Sequence, residues 1–449
     1  MKLILSLLAP AALLTAQATL PFTSNDNTFL LKGATVHTMS GAPIENGSVL
    51  VRNGKIIGVG KNLAAPKDVK VIDVKGMQVY PGMIDSATEM GLSEVGAVDM
   101  TVDTTELGRF NPELVALTAV NPESEHIPIT RANGITTSAT LPQGQLITGQ
   151  ASLIHMAGWT TDELGLKPRL GLTVMFPTLG GGGRGGFVPD ADPSGGAFGG
   201  GGGFTAQKAN YEKQIAELSG YFEQARRYKQ AKEAKAPGLK TDLKLEAMIP
   251  VLAGTEPILV TARREREIKD AIAWADKQKV KIILVDAVEA LKATKEIKDH
   301  NIPVILGPSL SLPTGPDDPY DEAYTTAAEL QKAGIKFSMA TLYREGPSFA
   351  RDLPYQAAQA VAFGLPPEEG MLSITKNAAE ILGVGDQIGS VDEGKWADLV
   401  VADGNPLETK TTIKMLFIKG KPVDLDNKHK DLYDKYLNRP ATDAKEQKQ

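Results

Sequence analysis

The chain has 449 residues, enough for one large barrel with an attachment or for more than one domain. A hydrophobic fraction of 42% and a charged fraction of 23% are those of an ordinary soluble globular protein. A net charge of -6 with both signs spread along the chain argues against a nucleic-acid partner, and the absence of cysteine excludes disulfides and thiolate metal sites.

At the start, Lys2 precedes the apolar run Leu3 to Leu14, followed by Ala16-Gln17-Ala18. A basic residue, a short apolar segment and small residues at a cleavage point make residues 1–18 a secretory signal peptide, cut near Ala18. The alternative is a buried helix. The run is too short to span a bilayer, and no other segment has the length and apolarity to do so. The expectation is a mature protein in the periplasm or outside the cell, with no membrane partner.

Residues 28–80 read as short strands, and Asn53-Gly54 between apolar runs signals a hairpin. Similar runs, ADLVVADGN and IKMLFIKGKPV, return near the far end. Together, 19–80 and 385–425 suggest one small β-sandwich built from both termini, with 426–449 left as a C-terminal helix or tail. Between them, strand and helix patterns alternate. Eight candidate strands fall at 83–86, 135–140, 152–156, 170–176, 257–262, 281–286, 302–307 and 336–341. Short apolar runs bounded by polar residues suit strands covered on both faces. After Arg263, the residues Ile268, Ala271, Ile272 and Ala275 share one helical face. The fold class is α/β: a (β/α)8 TIM barrel over 81–384 plus the sandwich, with an open doubly wound sheet as runner-up.

Residues 179–204 form a Gly-rich insert after the fourth candidate strand, leaving from the barrel face where active sites lie and read either as a disordered insertion or as a mobile lid or partner-binding loop. Behind it, 206–235 reads as a long helix whose Tyr211, Ile215, Leu218 and Phe222 make a packing stripe.

The segment Tyr80 to Leu92, YPGMIDSATEMGL, resembles the first barrel strand of the amidohydrolase superfamily, whose pattern is Pro-Gly-apolar-Ile-Asp-x-His-x-His. Pro81, Gly82, Met83, Ile84 and Asp85 match; Ala87 and Glu89 stand at the two histidine positions. GITT at 134–137 looks like the family's second strand, and Leu372 to Pro406 looks like its C-terminal signature. The resemblance, to imidazolonepropionase-like and dipeptidase-like members, covers nearly the whole mature chain. It implies a hydrolase of C–N bonds in small amides, cyclic amides or dipeptides, using one or two divalent ions held by histidines, a carboxylate and an aspartate at the strand ends.

Position by position, the chain departs from that set. The strand ends offer Thr261 and Arg263 on strand five, Asp286 on strand six and Thr341 on strand eight, without a histidine. Glu89 and Asp286 are the candidate catalytic carboxylates; Ala87, His155, Thr261, Arg263 and Thr341 are pocket candidates. His155, at the end of the third candidate strand, either joins Glu89 and Asp286 in a rebuilt site or is a satisfied core residue. Asp85 reads as structural first, and Glu94, Asp99 and Asp103 as a solvated loop able to line a pocket. No cofactor is assigned; zinc or manganese belongs only to a rebuilt site. Two readings follow: a C–N hydrolase with an altered site, or a pseudoenzyme serving as a binding or regulatory subunit. A scaffold whose insert contacts a partner is a weaker third. The expected partners are a small-molecule substrate or ligand, and a homo-oligomer or a hetero-oligomer with a related subunit.

Overall fold

The computed structural model describes residues 27–179, 204–313, 317–342 and 346–439. The signal-peptide assignment and most of the Gly-rich insert lie outside these residues.

The chain first lays down β1 (Phe29–Val36), β2 (Ile44–Arg52), β3 (Lys55–Lys61), β4 (Lys70–Asp73) and β5 (Gln78–Pro81). The hairpin expected at Asn53-Gly54 joins β2 to β3, and both residues sit at positive φ, +52° and +78°, as a tight two-residue turn requires. Gly54 is fixed for a second reason: a Cβ there would lie 2.4 Å from the Lys419 carbonyl oxygen.

The barrel strands follow: β6 (Met83–Thr88), β7 (Ile135–Thr140), β8 (Ile147–His155), β9 (Gly165–Met175), β10 (Ile258–Thr261), β11 (Ile282–Val285), β12 (Val304–Leu306) and β13 (Phe337–Met339). The last strands are β14 (Leu399–Ala402), β15 (Ile413–Ile418) and β16 (Lys421–Val423). They return to the N-terminal strands, giving the order β16-β15-β14-β5-β1-β2-β3 with β4 beside β1. The two ends of the chain meet where β5 pairs antiparallel with β14. Phe29, Val36, Val51, Leu399 and Phe417 share the buried core of this unit, and the Phe29 and Phe417 rings stack at 4.5 Å.

All eight expected barrel strands are present, in the order β13-β12-β11-β10-β9-β8-β7-β6. One feature departs from a uniform (β/α)8 pattern: β8 runs antiparallel to both β7 and β9. The reason is connection length. Six residues join β7 to β8 and nine join β8 to β9, whereas a parallel crossover needs about a dozen or more.

The seam between β6 and β13 closes through side-chain as well as backbone bonds. The Leu342 N–H donates to the Ala87 carbonyl at 2.9 Å, and the Thr341 N–H and hydroxyl donate to the two Asp85 carboxylate oxygens at 3.1 and 2.5 Å.

Inside the barrel, Ile84, Ala139, Leu153, Leu259, Ile283 and Ile305 belong to one buried cluster. Their neighbours Met83, Val260, Leu284 and Val304 pack outward with the helices, the alternation that a strand dictates. The helix Glu265–Gln278 buries Ile268, Ala271, Ile272 and Ala275, the face read from the sequence. The helix Phe204–Glu233 buries Tyr211, Leu218 and Phe222. Phe222 meets Trp274 edge to face at 5.0 Å. The C-terminal helix, Lys428–Leu437, buries no residue.

Candidate functional site

Because β6, β10, β11, β12 and β13 share one direction, the residues after their C-terminal ends gather at one end of the barrel. There stand Ala87 at the end of β6 and Glu89 just past it, Thr261 at the end of β10 and Arg263 beyond it, Asp286 directly after β11 and Thr341 after β13.

Glu89 is half-buried in a cavity of about 300 Å³ lined also by Ser93, Glu94, Val102, Gly346, Pro347 and Ser348. Removal of its carboxylate from water pushes its pKa up to about 7.

Asp286 is buried and held at φ +55°, a left-handed backbone conformation that non-glycine residues seldom adopt. Its carboxylate pairs with the Arg263 guanidinium at 2.9 Å. Gly307 leaves room for that carboxylate, since a Cβ there would lie 2.5 Å from Asp286 Oδ1.

Thr341 is spent on Asp85. Asp85 is completely buried, and desolvation outweighs the hydrogen bonds from Thr341 and Ala87, so its pKa rises to about 7. Ala87 joins Leu141, Val285, Ala340 and Leu342 in the apolar fill of the barrel interior.

His155 does not join the mouth. The reversal of β8 pairs it with Thr137, near the start of β7, at the opposite end of the barrel. Its Nδ1 lies 3.5 Å from Asp398 Oδ2, and both side chains are buried. Burial is the main cause that lowers the His155 pKa and raises that of Asp398. A site rebuilt from Glu89, His155 and Asp286 is therefore not formed. The physical cause is the short connection that turns β8 around.

The other histidines have local roles. His37 meets Gln78 Oε1 at 2.7 Å and stacks on Tyr80. His126 begins the helix His126–Arg131 and reaches the Glu94 carbonyl. His300 pairs with Asp276, and His429 lies against Arg351.

A divalent ion needs several donors converging on one point. Among the described residues no three His, Cys, Asp or Glu side chains converge to hold one. At the mouth, one carboxylate is paired with an arginine, one is locked to a threonine, and alanine, valine and leucine fill the space between strands. Among the described residues, no donor set fits the ion. Sequence reasoning placed Glu94 as a candidate pocket residue and missed Gly346, Pro347 and Ser348. Those three reach the cavity only because β13 neighbours β6 across the seam.

An eight-stranded barrel carrying a β-sheet unit made from both chain ends, with candidate residues at the strand ends, is the architecture of an amidohydrolase. Residues 258–423 match the family model described as "Amidohydrolase family". The amidohydrolase tasK of Hapsidospora irregularis is 23% identical over 423 residues, which is 85% of this chain but 41% of that protein. An imidazolonepropionase of Flavobacterium johnsoniae is 31% identical over 127 residues, 27% of each chain. This chain thus spans less than half the length of these curated relatives. Among solved structures, an amidohydrolase from Thermotoga maritima superposes with a TM-score of 0.76 at 28% identity, covering 88% of this chain and 99% of that one. The chain belongs to the amidohydrolase superfamily.

Proposed function

We propose that the barrel mouth of this chain binds a small amide-bearing molecule without a resident divalent metal. In this reading the protein is a pseudoenzyme, a binding or regulatory subunit built on a hydrolase framework. One observation carries it: the space between the strand ends is filled by Ala87, Val285, Ala340 and Leu342, while the nearest buried carboxylates are already engaged by Arg263 and Thr341. Family membership supports the amide chemistry of the ligand.

A second reading has its own support. Glu89 lines a cavity and titrates near neutrality, the range in which a carboxylate works as a general base. Metal-independent hydrolysis of a C–N bond would then run at Glu89. Export from the cytoplasm is part of the proposal and rests on the Leu3–Leu14 run. Pairing with a related subunit is a further part of it.

The test is the metal content of the purified protein after exposure to zinc and manganese, together with turnover of cyclic amides and dipeptides. No bound metal and no turnover is the expected result. About one ion per chain would overturn the proposal. Metal-free turnover that is lost on Glu89→Gln would establish the second reading.

A further inference from the structure

The loops leaving β6, β13 and β12 stand side by side, because β13 pairs with β12 and meets β6 across the seam. Among the described residues, eight of the eighteen exposed large apolar side chains lie in these three loops. Met100 is 94% exposed, Leu312 79%, Tyr320 76% and Leu107 73%. A concentration of this kind on a soluble protein marks an interaction surface more often than chance scatter.

The turn carrying Val98 and Met100 is held in shape from behind. Thr101 Oγ1 lies 3.0 and 2.9 Å from the Val95 and Val98 carbonyls and accepts the Val95 N–H at 3.1 Å. An apolar surface presented on a fixed turn costs little ordering when a partner arrives.

The charges say what kind of partner fits. Asp99, Asp103, Glu106 and Asp317 are exposed in the same loops. The loops after β6 and β12 hold no Lys or Arg between Lys75 and Arg109 or between Lys298 and Lys332, while the loop after β13 contributes Arg344 and Arg351 and Lys292 pairs with Asp318. Glu89 and Glu94 line the cavity beneath, and Glu94 Oε1 is buried there without a hydrogen-bond partner among the described residues. An anionic membrane surface would be repelled by this rim, and so would a second copy docking through the same face.

We infer that this sector of the barrel mouth is a docking surface for a polypeptide segment that is both basic and apolar. Its apolar side chains cover Met100, Leu312 and Tyr320, and a lysine or arginine reaches the cavity floored by Glu89 and Glu94. The inference goes beyond the reading of the mouth given above and does not depend on whether the mouth hydrolyses anything.

The experiment titrates the full mature chain into short fluorescent peptides that alternate Lys with Leu, Ser with Leu, or Glu with Leu, and follows anisotropy. Saturable one-to-one binding of the Lys–Leu peptide is expected, weakening as salt screens the exposed acids. Asp99→Lys with Asp103→Lys should weaken it by about tenfold or more. Met100→Ser with Leu312→Ser should weaken it too, with thermal midpoints unchanged because these side chains are exposed. Equal affinity for the Glu–Leu peptide, or insensitivity to both double variants, would overturn the inference. So would sedimentation showing that the chain self-associates through Met100 and Leu312. Metal content is read separately, so failure here is distinguishable from failure of the metal-free reading.

Discussion

Replacing Thr341 by valine removes one hydroxyl at the barrel seam and almost no volume. In the native protein that hydroxyl donates to Asp85 at 2.5 Å inside a completely buried site, and the Thr341 N–H donates to the other oxygen at 3.1 Å. The variant keeps the backbone bond and loses the side-chain bond. A hydrogen bond to a charged group contributes about 1.5–3 kcal/mol, and one between neutral groups about 0.5–1.5 kcal/mol. Because Asp85 titrates at about 7, the bond is charge-assisted above neutrality and neutral below it. Thr341→Val should therefore cost about 2 kcal/mol at about pH 8.5 and about 1 kcal/mol at about pH 5.5. The Asp85 pKa should also rise further, since the lost bond is one of those that lower it. Urea denaturation at the two pH values measures both quantities. A loss below about 0.5 kcal/mol, or the same loss at both pH values, would refute the claim that this bond closes the seam and senses the charge on Asp85.

Two other predictions rest on single positions. Gly82→Ala would place a Cβ 2.0 Å from Thr136 Oγ1 and 2.4 Å from its Cγ2, where Gly82 also donates to the Asp398 carbonyl at 2.8 Å. Forced displacement at the joint between barrel and sheet unit should destabilise by about 1–3 kcal/mol, and a thermal midpoint equal to the parent's would contradict the packing described. The buried Asp398 carboxyl has its pKa raised to about 7, above its unfolded value, so its favourable contribution is complete below the unfolded pKa and is lost as pH rises through about 7. Asp398→Asn removes that titration. It should flatten the stability profile between about pH 4 and pH 7 by up to about 1.4 kcal/mol per pH unit. An unchanged slope would mean that His155 holds the proton and Asp398 stays charged.

The sequence by itself determined the elements and their class. Eight barrel strands, the Asn53-Gly54 hairpin, the buried stripe of the helix Glu265–Gln278 and the two β segments that bracket the barrel were all legible. These depend on local pattern: side-chain period, turn chemistry and apolar runs. Membership in the superfamily was legible too, through Pro81 to Asp85 and the stretch Leu372 to Pro406. The mouth was legible only as a set of strand-end residues, because a strand end is a local fact.

Tertiary structure decided what those residues face. The six-residue link after β7 turned β8 around and carried His155 to the far end, against Asp398, a residue 243 positions later in the chain. Closure of β6 on β13 paired Asp85 with Thr341 across 256 positions, and brought Gly346 to Ser348 over Glu89. The desolvation that moves Asp85, Glu89 and Asp398 to about 7 is likewise a property of the folded interior. A sequence states which groups can ionise, but the surroundings that penalise their charge exist only once distant segments have packed around them.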